Sequence, residues 1–296
     1  MTRPEAIVLV VGSLHHDIMV EADHLPRKDE TAVGTRWFAK FGGKGGNQAV
    51  SAQLQGGSAR MVGAVGADGF GVFLRDGLAR SGVDHRFVVT CAEAGSGMSV
   101  AIMDADGDYA ATIVSGANLR IDPAALNDPV IWQDVGLLVL QNEVPEAVNI
   151  AAATEARRRG IRTLLNAAPN RPMSAAFTRL VDVLVVNAVE AEMMGAAPVT
   201  TLANAEEAAK TLACRFETVI VTAGALGLSA FSADDEHFTI PAEKITVVSS
   251  HGAGDAFIGA LAAAMVRGEA FSAACAAASH AAAEHVAGRS AGIAAT

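Results

Sequence analysis

Short apolar runs alternate with longer segments of helical period along most of this chain. Residues 6–11 (AIVLVV) are continuously apolar and rich in β-branched side chains, the pattern of a strand covered on both faces. Residues 59–65, 135–141, 162–166 and 218–222 repeat that pattern, and 180–187 contains it. Between them, 47–55, 71–81, 146–159, 203–215, 255–266 and 272–286 read as helices. Gly82 and Gly160 follow two of these helices, where a glycine C-cap belongs. Strands separated by helices of roughly a dozen residues predict βαβ units and a parallel sheet.

Two stretches break this rhythm. In 99–114 (SVAIMDADGDYAATIV) two strand-like runs flank Asp106-Gly107-Asp108, a hairpin turn signal. Residues 16–41 also lack helical period. Together they predict a small antiparallel sheet off the main layer, read as a lid that excludes water; the plainer reading is an ornamental hairpin. No linker, fixed-period repeat or low-complexity segment interrupts the chain, so 1–296 is read as one domain with lid segments at about 16–41 and 98–115.

Composition narrows the function classes. With 51% hydrophobic residues and 29 glycines, a large core is available. The net charge of -10, from 22 basic and 32 acidic residues, disfavours nucleic acid and anionic membrane as main partners. A single tyrosine, Tyr109, and two tryptophans, Trp37 and Trp132, argue against base stacking. Cys91, Cys214 and Cys275 are far apart and lack CxxC spacing, so they read as reduced, buried thiols of a cytoplasmic protein. The first apolar run is too short for a signal peptide, and no stretch reaches the roughly 18 apolar residues of a membrane span.

The chemistry concentrates in a few places. Residues 250–260 (SHGAGDAFIGA) combine a small-residue turn, one carboxylate and the start of a helix. Such a turn aims backbone N–H groups at one point, and the helix start adds its own donors and partial positive charge. That place suits an anion. Asp255 beside it reads as a base, because two anions would repel. A phosphate next to a base describes a kinase that deprotonates an alcohol.

Upstream, Phe41-Gly42-Gly43-Lys44-Gly45-Gly46-Asn47-Gln48 leads into a helix. It reads either as a loop where a ligand touches backbone, with Lys44 and Asn47 aimed at it, or as a flexible turn with a solvated lysine. It is not a Walker loop, since Gly45 stands where Ser or Thr should follow the lysine, and no G-x-G-x-x-G occurs in the chain. His15 and Asp17 share one face of an extended segment just past the first strand, where parallel sheets bind ligands. Hydrogen bonding to a polyhydroxylated ligand fits them better than a metal; the alternative is two ordinary surface residues. Glu143 ends a strand and is either a ligand group or an N-cap for the helix at 146. Asn187 and Glu190 can hold hydrated Mg²⁺, or Glu190 can simply favour a helix start. The glycines of 222–227 (TAGALG) either let a nucleotide lie on backbone or form a hairpin turn.

Taken together, these residues resemble the ribokinase-like, PfkB-type carbohydrate kinases over nearly the whole chain. GGKGGNQAV at 42–50 matches the N-terminal signature and SSHGAGDAFIGALA at 249–262 the C-terminal one. QNE at 141–143, LNAAPN at 165–170, NAVE at 187–190 and TAGALG at 222–227 stand between them in the family's order. The resemblance implies an α/β, three-layer α/β/α fold with a mainly parallel central sheet and a small β lid. It implies an ATP-dependent phosphotransferase acting on a hydroxyl of a small sugar, a pentose or related carbohydrate. Asp255 would be the general base and Gly252, Ala253 and Gly254 the anion hole. His15, Asp17, Gly43, Lys44, Asn47 and Glu143 would bind the sugar. Asn187 and Glu190 would organise Mg²⁺ through water. Thr222, Gly224 and Gly227 would border the nucleotide, with His280 approaching the adenine. The lid would cover the sugar and pair in a homodimer.

Three departures stand out. The family usually has Asn at the position of His15, and Asp-Thr at Ser249-Ser250, where it frames a monovalent-cation site. The chain also ends at Thr296, short of the usual tail. K⁺ dependence and the identity of the sugar therefore stay open. A nucleoside kinase of the same fold and a non-catalytic sugar-binding regulator are the alternatives; the intact Gly-Ala-Gly-Asp turn argues against the second.

Overall fold

Successive residues of the first strand, β1 (Ile7–Val11), enter two different cores. Val8 and Val10 join one apolar cluster, Leu9 and Val11 the other. A strand sandwiched this way has no polar face, which is why its sequence does not alternate. The structure is a computed structural model and describes residues 6–104, 109–232 and 237–289.

β1 is flanked in parallel by β4 (Ser58–Gly66) and β8 (Val135–Gln141). Beyond β4 lies β5 (Asp84–Cys91). Beyond β8 come β9 (Arg162–Asn166), β10 (Val183–Asn187), β11 (Thr218–Thr222), β12 (Gly227–Ser232) and β13 (His237–Pro241), completing a nine-stranded sheet. β12 and β13 are antiparallel and the other pairings are parallel. Helices α1 (Lys44–Leu54), α2 (Gly69–Arg80), α7 (Ala253–Val266) and α8 (Phe271–Val286) pack on the face of Val8. The face of Leu9 is covered by α3 (Glu146–Arg158), α4 (Ala175–Thr178), α5 (Ala188–Met193) and α6 (Leu202–Ala213). The three-layer expectation holds. Gly82 and Gly160 take the left-handed conformation just past α2 and α3.

A second sheet has the order β3 (Gly34–Gly42), β2 (His15–Ala22), β6 (Gly97–Met103), β7 (Tyr109–Val114). It occupies the segments expected for the lid, but it is mixed rather than antiparallel, because β2 and β6 run parallel. The reason is topological. β2 and β6 follow β1 and β5, whose C-terminal ends lie at the same edge of a parallel sheet, so both enter the lid in one direction. The turn Asp106-Gly107-Asp108 lies outside the described residues. The lid is tied to the body at both points where the chain crosses into it. Asn118 brackets the backbone of Leu14, accepting from its N–H and donating to its carbonyl, each at 2.9 Å. Asp68 accepts from the N–H and hydroxyl of Ser96, at 2.8 and 2.7 Å.

The cysteines do not share one environment. Cys275 is buried, Cys91 half-buried and Cys214 exposed. Cys214 caps the surface end of α6, and Cys91 closes the edge strand β5, so neither position is fully covered. No helix among the described residues is long and apolar enough to cross a membrane.

The two glycine signatures meet inside the fold. α7 lies against α1 so closely that a Cβ on Gly259 would collide with the Ser51 side chain and sit 2.5 Å from the Ala52 nitrogen. Ser51 donates its hydroxyl to the Ala256 carbonyl across the same contact, at 3.0 Å. Gly259→Ala is therefore expected to cost about 1–3 kcal/mol, the usual penalty of overpacking. A Cβ on Gly254, one turn earlier, would meet nothing within 4 Å, so Gly254→Ala is expected to be neutral or to add about 0.5–1 kcal/mol of helix stability. Urea unfolding midpoints of the two variants check both; equal midpoints would show that the two helices pack more loosely than these distances require.

Candidate active site

The N-terminus of α1 is pressed onto the chain leaving β1. Gly43 has φ 86°, and a Cβ there would lie 2.7 Å from the His15 nitrogen. A Cβ on Gly45 would lie 2.6 Å from the Ser13 nitrogen. These glycines are required by contact with the protein's own backbone. The close approach delivers Lys44, Asn47 and Gln48 to one place.

Glu143 belongs to that place. It does not cap α3, whose N-cap is Pro145 without a side-chain bond. Its Oε2 instead accepts from the Ser13 hydroxyl and from the Lys44 N–H, the latter at 2.9 Å. His15 Nδ1 stands 4.0 Å from the same oxygen. His15 and Asp17 do share a face of β2, and both are buried, which removes the surface-residue reading. Asp17 Oδ1 accepts from the Ser99 hydroxyl of β6 at 2.6 Å. Gly42, opposite His15, has no room for a side chain, since a Cβ there would strike the Asp17 carboxylate.

Asp255 lies in the first turn of α7 and is 8% exposed. Its two oxygens accept from Asn47 Nδ2 at 3.1 Å and from Gln48 Nε2 at 2.9 Å. Gln48, fully buried, also donates to Asn166 Oδ1 at 3.1 Å and accepts from Gln141 Nε2 at 2.8 Å. Burial pushes the Asp255 carboxyl above its ordinary value. The Lys44 charge and the two amide bonds pull it back, and Glu143 adds to the rise. The turn before it has its left-handed residue at Gly252, φ 84°, where a Cβ would lie 3.0 Å from His285 Nε2. His285 donates to the His251 carbonyl at 2.8 Å and so braces the turn from α8. The Ala253 N–H is turned onto the Ser250 carbonyl at 3.3 Å. The N–H groups of Gly252, Gly254 and Asp255 have no backbone acceptor among the described residues.

His251, at the start of the same turn, feels charge of both signs. Its charge state responds to Asp17 and Asp255, which favour the imidazolium, and to Lys40 and Lys44, which disfavour it; withdrawal from water outweighs them and lowers its pKa.

Asn187 and Glu190 form a reciprocal capping box at the start of α5. Glu190 Oε2 accepts from the Asn187 N–H at 2.9 Å, and Asn187 Oδ1 accepts from the Glu190 N–H at 2.8 Å. The helix-start reading of Glu190 is thus correct as structure. It leaves Oε1 of Glu190 for another partner. Burial raises the Glu190 carboxyl, while Lys44 and the Asn187 N–H lower it. Thr222 ends β11, with its hydroxyl 3.4 Å from the Val186 carbonyl. Residues 222–227 do make the antiparallel turn into β12. Gly227, φ 116°, is demanded by the Ile240 carbonyl of β13, whereas Gly224, φ 55°, faces open space. His280 is exposed on α8 and bonded to Glu243 at 2.8 Å.

Several contributors escape the sequence reading: Ser13, Gln48, Ser99, Gln141, Asn166, His251 and His285. Gln48 carried a usable signal, an amide following Asn47 directly after the glycine run. The others depend on pairings between segments about 30 to 130 residues apart.

Comparison with known proteins agrees with this geometry. Residues 6–296 match the family model described as pfkB family carbohydrate kinase. Mouse (Mus musculus) ribokinase is 34% identical over 261 residues, 87% of this chain and 81% of that protein. Bacillus subtilis ribokinase is 33% identical over 88% of this chain and 86% of that protein. The structure of Arabidopsis thaliana ribokinase complexed with ribose and ATP superposes with a TM-score of 0.87 at 27% identity, covering 96% of this chain and 93% of that one. A nucleoside kinase from Burkholderia thailandensis in complex with inosine reaches a TM-score of 0.77 at 22% identity over 97% of this chain and 92% of that one, a likeness of fold alone. Two glycine signatures brought together on α1 and α7, and a family match running from β1 through α8, mean that the chain belongs to the pfkB family of carbohydrate kinases.

Proposed function

We propose that this sugar kinase moves the terminal phosphoryl group of ATP to a hydroxyl of a small carbohydrate, a pentose or a related sugar, with Asp255 as general base. One observation carries the assignment of the base: a buried carboxylate in the first turn of α7, beside main-chain donors without an acceptor, held by amides from α1. Asp255 takes the hydroxyl proton, and the freed oxygen displaces ADP at the terminal phosphorus. The N–H groups of Gly252 and Gly254 meet the charge on the migrating group, with Ala253 shaping the turn. A raised carboxyl pKa suits the role, because a stronger base shares more of the proton in the transition state.

His15, Asp17, Asn47 and Glu143 position the acceptor, with Gly43 setting the backbone beneath it. Lys44, whose charge acts on Asp255 and on Glu190, joins the acceptor and phosphoryl ends. Asn187 and Glu190 fit Mg²⁺ held through water, since the second carboxylate oxygen of Glu190 stays uncommitted and that ion takes few direct protein ligands. Bound Mg²⁺ would neutralise phosphate charge. Thr222, Gly224 and Gly227 line the nucleotide side, and His280 flanks the base from α8. K⁺ has a weaker case here, because Ser249 offers no carboxylate. The cytoplasmic placement rests on the separated cysteines.

The four-stranded sheet is the lid, and the whole chain works as one kinase unit. Its outer face is apolar: Ile18, Val20, Trp37, Val100 and Ile102 alternate with the residues that face the cleft. Trp37 is 67% exposed. A second copy of the chain docking lid to lid would cover this face.

Three outcomes follow. Asp255→Asn is expected to lower kcat at least about 100-fold, the scale of a lost general base, with ATP binding retained by calorimetry; unaltered turnover removes Asp255 from the role. Because the carboxyl is raised from 3.8, kcat/KM should rise with pH on an acid limb centred above that value, and initial rates across pH 4–8 with sugar varied locate it. A limb at or below the ordinary carboxylate range contradicts the assignment. Sedimentation velocity should show a dimer that Trp37→Lys converts to monomer; a monomeric parent protein rules out the lid pairing.

A further inference from the structure

The peptide group joining His251 to Gly252 is trans, so its carbonyl and its N–H point in opposite directions. The carbonyl is taken by His285, whose Nε2 donates to it at 2.8 Å from the last turn of α8. The Gly252 N–H therefore points away from α8, and it has no backbone acceptor among the described residues. Wherever the carbonyl is held, the donor faces the other way.

The turn does not fix that orientation by itself. Gly252, at φ 84°, tolerates either sign of φ, so the peptide before it can turn over at little steric cost. Residues 252–254 are Gly-Ala-Gly and carry no side chain long enough to wedge the turn. A Cβ on Gly254 would meet nothing within 4 Å. Restraint comes instead from the end of α8. The Val286 carbonyl accepts from the Val248 and Ser249 N–H groups at 2.8 and 3.2 Å, which pins the chain entering the turn. His285 acts further on, at the very peptide whose N–H is at stake. A Cβ on Gly252 would lie 3.0 Å from its Nε2, so the ring rests against the turn. Were this peptide to flip, an oxygen would stand where the donor now stands. Beside an incoming phosphoryl group, attraction would become repulsion.

We infer that His285 is a positioning residue for phosphoryl transfer: by holding the His251 carbonyl toward α8, it keeps the Gly252 N–H turned to the migrating group. The inference rests on the kinase reading above. The action of His285 runs through one main-chain peptide and needs no contact with sugar or ATP.

ADP release is measured on the wild type, His285→Leu and His285→Gln, with neutral pentoses, hexoses and nucleosides as acceptors and both substrates varied. Leucine removes the donor, and the glutamine amide offers one at similar reach. His285→Leu is expected to lower kcat about tenfold or more, short of the about 100-fold that follows outright loss of an oxyanion-hole donor. The KM of the acceptor and the calorimetric affinity for ADP, which lacks the migrating group, are expected to stay near wild type. His285→Gln is expected to restore most of kcat. Equal kcat in wild type and His285→Leu overturns the inference and leaves the kinase standing. So does a loss carried by KM alone, or one that glutamine fails to restore. The ring is only half-buried; if His285→Leu melts below the assay temperature, His285→Ala takes its place. If no acceptor elicits ADP release from the wild type, the kinase reading fails, and amide hydrogen exchange over 249–255 decides. Faster exchange in His285→Leu than in wild type and His285→Gln upholds the hold on the turn, and identical exchange overturns it.

Discussion

A carboxylate withdrawn from water at the start of α7 is tolerated because α1 presents two amide donors to it. Asn47 and Gln48 bind the two oxygens of Asp255, and Gln48 is itself oriented by Gln141 and Asn166 from β8 and β9. Amides are apt for this role. A cation in the same position would lower the carboxyl and weaken the base, whereas neutral donors hold the geometry and leave the desolvation largely intact. The close approach of α7 to α1 at Gly259 keeps the donors in reach. Helix packing and proton affinity are thus one arrangement seen at two scales.

The parallel sheet was legible because strands covered on both faces have no polar alternation to confuse the reading; AIVLVV could be little else. The outer strands were less visible. β13 alternates half-buried and exposed positions over only five residues, and β12 follows a glycine turn that reads equally well as a ligand loop. In the lid, the strand segments were recoverable from lost helical period. Their parallel central pair was not, since direction depends on where the preceding strands end. The candidate base was legible as a carboxylate after a glycine turn. The groups that tune it were not, because Gln48, Gln141 and Asn166 become neighbours only when strands and a helix from distant parts of the chain converge.

Glycine proved ambiguous in an instructive way. The same residue type serves close chain-to-chain approach at Gly43 and Gly45, a left-handed turn at Gly252, and open backbone at Gly224 and Gly254. The resemblance to a kinase signature locates all of them, but only the surroundings separate the glycines that pack from those that leave room. Asn187 and Glu190 make the same point for polar residues. A capping box that starts α5 also leaves the second carboxylate oxygen of Glu190 uncommitted, so structural and ligand-directed readings of a pair need not compete.

The double bracket of Asn118 on the Leu14 backbone has a consequence for how such a protein diversifies. It anchors the root of the lid to the body through main-chain atoms, and His16 and Phe41 pack there against α2 and α1, so the side chains at the far ends of β2 and β3 take little part in holding lid to body. Mutations there can drift without loosening the hinge or disturbing the proton acceptor on α7. The fold separates a fixed engine from an interchangeable fitting, and new acceptors can be recruited by editing the fitting alone.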